Sequence, residues 1–398
     1  MRTGTAHRRS GWVGAAACVL ALAAPGCGDT ADGLTVRGED PTNLPLAGLT
    51  DDEQARFDRG DVLFEQEFRP VQGLGPVYIR AACVRCHVDD ARGPGAVERV
   101  VFVEADGFTP RADQSGFPFG PALRPQFVAP ATQGVVSMLG PETPGVLRSV
   151  RVGPAVFGRG WMEAITDAAI EAGAAAQAQA GGVVRGRVAR TSDGRIGRFG
   201  LKARVATLED FSADAFRNDM GLTSPTQPTE PANPDGLTDD TRPGLDLPQS
   251  AVDDVAFYVA ALAIPRRTAL SPTTAALFAR VGCADCHTPA LATGPRTRFA
   301  QMAATTAPVY SDMLLHDMGT ALADGVPEGN AGPRDWRTAP LMGLRHFRSY
   351  LHDGRARTLD DAVTMHRGEG SEANPSVDAY LRLSATDRAA LLEFLGRL

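Results

Sequence analysis

The pentapeptide Cys83-Val84-Arg85-Cys86-His87 recurs in the second half of this 398-residue chain as Cys283-Ala284-Asp285-Cys286-His287. Two thiols three residues apart can form thioethers with the two vinyl groups of a haem, and the histidine that follows can face the iron. One copy could also be a redox dithiol or half of a zinc site. Two copies, both ending in histidine, predict a chain that carries two covalently bound haem c groups. Cys83, Cys86 and His87 hold the first, and Cys283, Cys286 and His287 the second.

A chain of this length suits two or three domains. Its net charge of −7 argues against nucleic acid or an anionic membrane surface as partner. The 43 glycines and 29 prolines imply much loop backbone, as suits a protein whose cores form partly around cofactor faces.

The N-terminus reads as a targeting segment. Arg2, Arg8 and Arg9 precede a short apolar run from Gly11 to Ala24, too brief to span a bilayer. It ends at Ala24-Pro25-Gly26-Cys27, which resembles a bacterial lipobox, with Pro25 atypical of the pattern. The expected order is a signal peptide over 1–26, lipidation of Cys27, and a tether over 27–49. The alternative is an ordinary signal peptide and a soluble periplasmic protein. Cys18 falls in the leader, so all six cysteines are assigned and no disulfide is expected. Haem c is attached outside the bacterial inner membrane, in agreement with export.

The rest divides into an N-terminal haem domain (50–221), a linker broken by six prolines (222–248) and a C-terminal haem domain (249–398). Thr50-Asp51-Asp52-Glu53 carries a capping signal for a first helix. Helical patterns follow over 161–180, 203–216, 250–264 and 274–281. Thr358 and Ser384 start two more, the last with an apolar stripe of Leu391, Leu392 and Leu395. The 89–150 region reads as loop, with one alternating patch at Val97 to Val103.

An internal echo goes beyond the haem motifs. Val62-Leu63-Phe64 and Ala276-Leu277-Phe278 precede them, and Ala203 to Asp210 parallels Ala356 to Asp361. Two related domains can therefore be compared iron by iron. His316, His346, His352 and His366 all follow the second motif, and methionines before residue 222 are few (Met138, Met162, Met220). Counted from the shared Thr-Leu pair, His366 stands opposite Ala215. His366 is thus the candidate distal ligand of the second iron, with Met365 as competitor, and the first iron is the one left open. His316 and His352, each followed by aspartate, are candidate haem-pocket residues. An open iron that handles peroxide needs a group to move a proton from the inner to the outer oxygen. Asp219, in Asn218-Asp219-Met220-Gly221, is the candidate, because burial beside a haem would raise its pKa.

These segments together resemble the bacterial dihaem cytochrome c peroxidase superfamily. The nearest branch is that of dihaem oxidoreductases sometimes labelled thiol oxidoreductases, although nothing in the chain reads as a thiol site. Pro154 to Gly160, Gly197 to Ala203, Asp219 to Pro225, Leu314 to Gly319, Trp336 to Leu341 and Leu351 to Ala356 carry the resemblance. It implies a mainly α fold of two cytochrome-c-like haem domains with long Gly/Pro-rich loops. It also implies that the N-terminal haem meets peroxide while the C-terminal haem relays electrons from a small donor protein. Asp219-Met220-Gly221 matches the segment that supplies the distal acid, with aspartate for glutamate, and His366 falls where the second haem takes its sixth ligand. The resemblance further raises a calcium ion between the domains, held by carbonyls near Thr338 and Pro340, and a bridging tryptophan, for which Trp161 and Trp336 qualify.

The expected function is that of a periplasm-facing, peroxidase-type dihaem c oxidoreductase. Its partners would be a small redox donor protein or a quinol-linked chain, and hydrogen peroxide or a similar oxidant. The competing readings are a dihaem electron-transfer cytochrome without bond chemistry, and peroxide-driven oxidation of a protein or organic substrate.

Overall fold

The computed structural model describes residues 42–90, 93, 96–136, 143–238 and 243–398. The leader, Cys27, most of the tether and Met138 lie outside the described residues. In chain order the helices are α1 (Asp51–Glu65), α2 (Arg159–Ala164), α3 (Asp167–Ala180), α4 (Leu208–Met220), α5 (Gln249–Ala261), α6 (Pro272–Arg280), α7 (Leu359–Thr364), α8 (Asn374–Leu381) and α9 (Ala385–Arg397). The strands form antiparallel pairs: β1 (Val77–Tyr78) with β3 (Gln126–Phe127), β2 (Ala96–Phe102) with β4 (Val146–Val152), β5 (Leu291–Ala292) with β6 (Thr306–Ala307), and β7 (Leu315–Asp317) with β8 (Asp335–Arg337).

Local signals explain where the helices begin. Thr50 and Glu53 form a reciprocal capping box at α1. The hydroxyls of Thr166, Thr207, Thr358 and Ser384 accept from the third residue onward at α3, α4, α7 and α9. The pattern over 161–180 is split into α2 and α3, because buried Ile165 leaves the helix and bridges to Thr293. Helix α8 carried no sequence signal strong enough to be anticipated.

The mainly α expectation is corrected: the described residues are 34% helical with 14% strand. The largest ladder, β2 with β4, pairs Ala96–Phe102 against Val146–Val152 through seven residues. The alternating patch lies in it from Val97 to Phe102, while Val103 bridges to Pro110, and β4 falls in the region expected to be loop. The reason is physical. Ser149 and Arg151 of β4 are buried and bond to Asp324, so the inward face of that strand is polar and leaves no apolar alternation to find.

Helix α5 holds the largest apolar cluster together. Ala251, Val252 and every residue from Val255 to Ala261 are buried, as befits a helix enclosed on all sides. It packs against α1, α2 and α4, so this helix from beyond the proline-rich segment is seated among the N-terminal ones. The proline-rich segment is itself pinned: the Thr223 amide and hydroxyl donate to Asp246, and the Leu247 amide donates to the Thr223 carbonyl. A second cluster joins α6, α8 and α9 through Leu277, Phe278, Tyr380, Leu391 and Phe394. No helix among the described residues is long and apolar enough to cross a membrane.

The α1–α5 crossing depends on Gly60, where a Cβ would run into the Asp254 carbonyl and the Tyr258 side chain. Gly60→Ala should therefore cost about 1–3 kcal/mol through overpacking. Gly182→Ala, where a Cβ meets nothing within 4 Å, should not destabilise, and thermal melts of the two variants check this.

Candidate haem sites

Both Cys-x-x-Cys-His segments fold the same way. Cys83–Arg85 and Cys283–Asp285 are 3₁₀ turns, and in each the histidine amide donates 2.9 Å to the carbonyl of the first cysteine. The imidazoles are then oriented by main-chain carbonyls. His87 Nδ1 lies 2.6 Å from the Pro154 oxygen, and His287 Nδ1 lies 3.1 Å from that of Tyr310. A carbonyl only accepts, so Nδ1 carries the proton and Nε2 keeps its lone pair. Burial pushes both imidazoles down to about 4, with the Pro154 and Tyr310 carbonyls opposing the shift and neighbouring positive groups adding to it. Each is neutral at pH 7, the form that binds a metal ion. The His87 ring is backed by Phe64 at 6.0 Å, itself 5.2 Å from Tyr258 of α5.

Beside the second motif lies a cavity of about 260 Å³. Cys283, Cys286, His287 and His366 line it, along with Phe278, Leu341, Phe347, Val363 and Leu395. His366 follows α7, and its Nδ1 lies 2.6 Å from the Ala362 carbonyl. Burial lowers its pKa too, so a third neutral imidazole presents Nε2. Met365 is 37% exposed and does not line the cavity. Two thiols, two neutral imidazoles and an apolar wall suit a haem group.

His316 and His352 line the same cavity in different ways. His316 Nε2 is 2.9 Å from Asp312, and Nδ1 is 2.7 Å from Glu372. Burial alone would lower its pKa, but the hydrogen bonds to Asp312, Cys286 and Glu372 raise it to about 12. It is a charged imidazolium with both nitrogens engaged, which ties β7 to the loops at 312 and 372. The atoms of Cys286, Asp312 and His316 lie close enough to hold a metal ion, but a thioether at Cys286 would remove that thiolate. His352 stacks on Trp336 with ring centroids 4.0 Å apart. The Trp336 indole N–H donates 2.8 Å to the Leu322 carbonyl. Trp336 therefore stands at the second cavity, whereas Trp161 of α2 packs at the edge of the main apolar cluster.

Asp219, near the end of α4, lies by the first motif. Its carbonyl accepts from the Ile79 and Arg80 amides at 2.7 and 3.2 Å, which joins α4 to the approach to Cys83. Burial raises its carboxyl to about 6, with Asp214 adding and Arg124, Arg204 and Arg99 opposing. Its charge is felt at Cys86, whose thiol is pushed up to about 11 by burial first and Asp219 second.

Sequence reasoning missed the carbonyls of Pro154 and Tyr310, which no side-chain signal marks. It also missed a buried charge network. Arg151 pairs with Asp324 and Glu328, Arg99 with Glu328, and Lys202 with Asp324.

Two turns of this kind, each presenting a neutral imidazole, define a haem-dependent redox protein. The family model described as "Di-haem oxidoreductase, putative peroxidase" matches residues 131–398, and the chain belongs to that family. The family implies two haem groups. The matched stretch includes the second motif and begins after the first. No curated protein matches the chain. Among solved structures, a chain of hydrazine synthase from Kuenenia stuttgartiensis, solved under xenon pressure, is similar at a TM-score of 0.32 and 12% identity, over 92% of this chain and 97% of that one.

The His316 triad gives a direct test. His316→Gln leaves Asp312 and Glu372 without their cation, and removing one partner of a buried pair should cost about 3–5 kcal/mol. Urea unfolding of the variant against wild type measures it.

Proposed function

We propose that the protein is a dihaem c-type oxidoreductase of peroxidase type, with electrons entering at the haem of the second motif and oxidant reacting at the haem of the first. The observation that carries this reading is the asymmetry between the sites. The second motif shares its cavity with His366, whereas the first has near it the half-buried Asp219 carboxyl, its pKa raised by desolvation. Thioethers at Cys83 and Cys86, and at Cys283 and Cys286, would fix the two groups.

Haem, when bound, supplies one-electron transfer and a reducible centre for the O–O bond of peroxide. The residues do the rest. His87 and His287 each offer Nε2, held in aim by the carbonyls of Pro154 and Tyr310. His366, which lines the same cavity as His287, would be the second residue to hold that haem and would keep oxidant away there; a bis-histidine set would also lower the potential relative to His/Met. Reducing one peroxide to two waters takes two electrons and two protons. Asp219, as carboxylate, takes the proton from the inner oxygen and, as carboxylic acid, returns it to the outer. A pKa of about 6 keeps both forms accessible near neutrality. Trp336, at the second cavity and stacked on His352, is the tryptophan placed to assist electron passage. The His352 carbonyl accepts from the Val152 amide two residues before Pro154, so a short stretch of chain joins the two sites.

The donor would be a small redox protein or a quinol-linked chain. Export through the 1–26 leader and lipidation at Cys27 belong to the same proposal, since both place the protein where haem c is attached.

Asp219→Asn should lower kcat for peroxide-dependent oxidation of an artificial electron donor by about 10²–10⁴-fold. In the wild type kcat/KM should rise with pH through about 6, as the carboxylate forms, and this limb should vanish in the variant. Two haems that stay six-coordinate and low-spin, untouched by peroxide or cyanide, would overturn the proposal.

A further inference from the structure

The calcium ion raised by the family resemblance meets a test at Thr338. That residue's carbonyl already accepts from the Ser311 hydroxyl and from the Arg337 guanidinium, both at 2.7 Å. Arg337 is itself buried, so this oxygen already faces a cation that belongs to the chain. The nearby carboxylate, Asp312, is held by His316. These residues do not fit a calcium ion.

A second cage of oxygens, close by, has the same character. Lys202 follows the turn at Gly200, and its side chain is fully buried. Its Nζ lies 2.8 Å from the Val326 carbonyl, 2.9 Å from that of Gly332, 3.4 Å from that of Pro333 and 2.8 Å from Asp324 Oδ1. One carboxylate oxygen and several main-chain carbonyls make the ligand type that a hard metal cation takes. An ammonium with three hydrogens sits among four such oxygens. The cage also reaches the second cavity, because Nζ stands 4.6 Å from the centre of the Trp336 ring, which lines it. Lysine is seldom fully buried unless paired, and here the pairing joins the turn at 202 to the segment 324–333.

We propose that the Lys202 ammonium is the protein's own cation in this oxygen cage, holding the 324–333 segment and Trp336 in place without a bound metal ion. The side chain cannot dissociate, so this seam does not respond to chelators. Removal of the side chain leaves a cavity whose oxygens still call for a cation with N–H groups. The role is one of positioning, and it stands apart from the peroxidase reading, since none of its readouts uses haem chemistry.

The test uses the haem-loaded full chain. The thermal midpoint of the wild type should not change with EDTA or with added calcium. Lys202→Ala should melt lower by roughly 5–10 °C. Propylammonium, which replaces the missing atoms, should restore at least half of that loss at tens of millimolar, by binding the folded state alone. Tetramethylammonium, which has no N–H to donate, should not. A wild-type midpoint that falls in EDTA and recovers with calcium would overturn the proposal. So would a folded Lys202→Ala protein that melts like the wild type, or one that ignores propylammonium. If Lys202→Ala yields no folded protein, the response of the wild type to EDTA and calcium decides alone.

Discussion

His87, His287 and His366 are half-buried, and each is close enough for its Nδ1–H to donate to a main-chain carbonyl. That interaction does two things at once. It selects the tautomer whose Nε2 can meet a metal, and it fixes the ring, while burial keeps the imidazole neutral. Much of the fold can be understood as holding those carbonyls still. Pro154 lies two residues beyond β4, which is paired along its whole length with β2. Tyr310 sits at a positive φ, beside the buried turn of Ser311 and Asp312. Ala362 lies within α7, started by the Thr358 capping box.

The buried charges complete the frame. Ion pairs inside a protein are weak evidence for stability, since desolvation offsets most of their attraction. Their value here is geometric. Arg151 on β4, Lys202 in its turn, and Asp324 and Glu328 in the following half come together in one network. Arg151 and Lys202 also lie 5.3 and 4.6 Å from the centre of the Trp336 ring. The ladder that presents Pro154 to His87 is thereby tied to the wall of the cavity that holds His287.

The parts of this arrangement that could be read from the sequence are those written in side chains over short distances. The two Cys-x-x-Cys-His turns are of that kind, as are the capping threonines. His366, found by counting from the shared Thr-Leu pair, lines the same cavity as His287, because a helix start fixes the residues that follow it. What escaped was of another kind. Carbonyl acceptors such as that of Pro154 have no residue signature. Strand β4 hides its buried face behind Ser149 and Arg151, and Lys202 looks like any surface lysine. The mainly α expectation failed because irregular backbone and short ladders build the walls that a helix pattern would otherwise suggest. Asp219 has little local sequence support as the proton carrier: its raised pKa comes from desolvation first and Asp214 second, against the pull of Arg124, Arg204 and Arg99, surroundings that only the folded chain assembles.

The proposal turns on a difference between the two sites: His366 lines the cavity of the second motif, and it would complete the second haem and leave the first open. Electron paramagnetic resonance of the oxidised protein, wild type against His366→Ala, tests it most directly. The account predicts that the wild type shows one bis-histidine low-spin signal that the variant loses, while the signal from the other haem is unchanged. A His366→Ala spectrum identical to that of the wild type would contradict it.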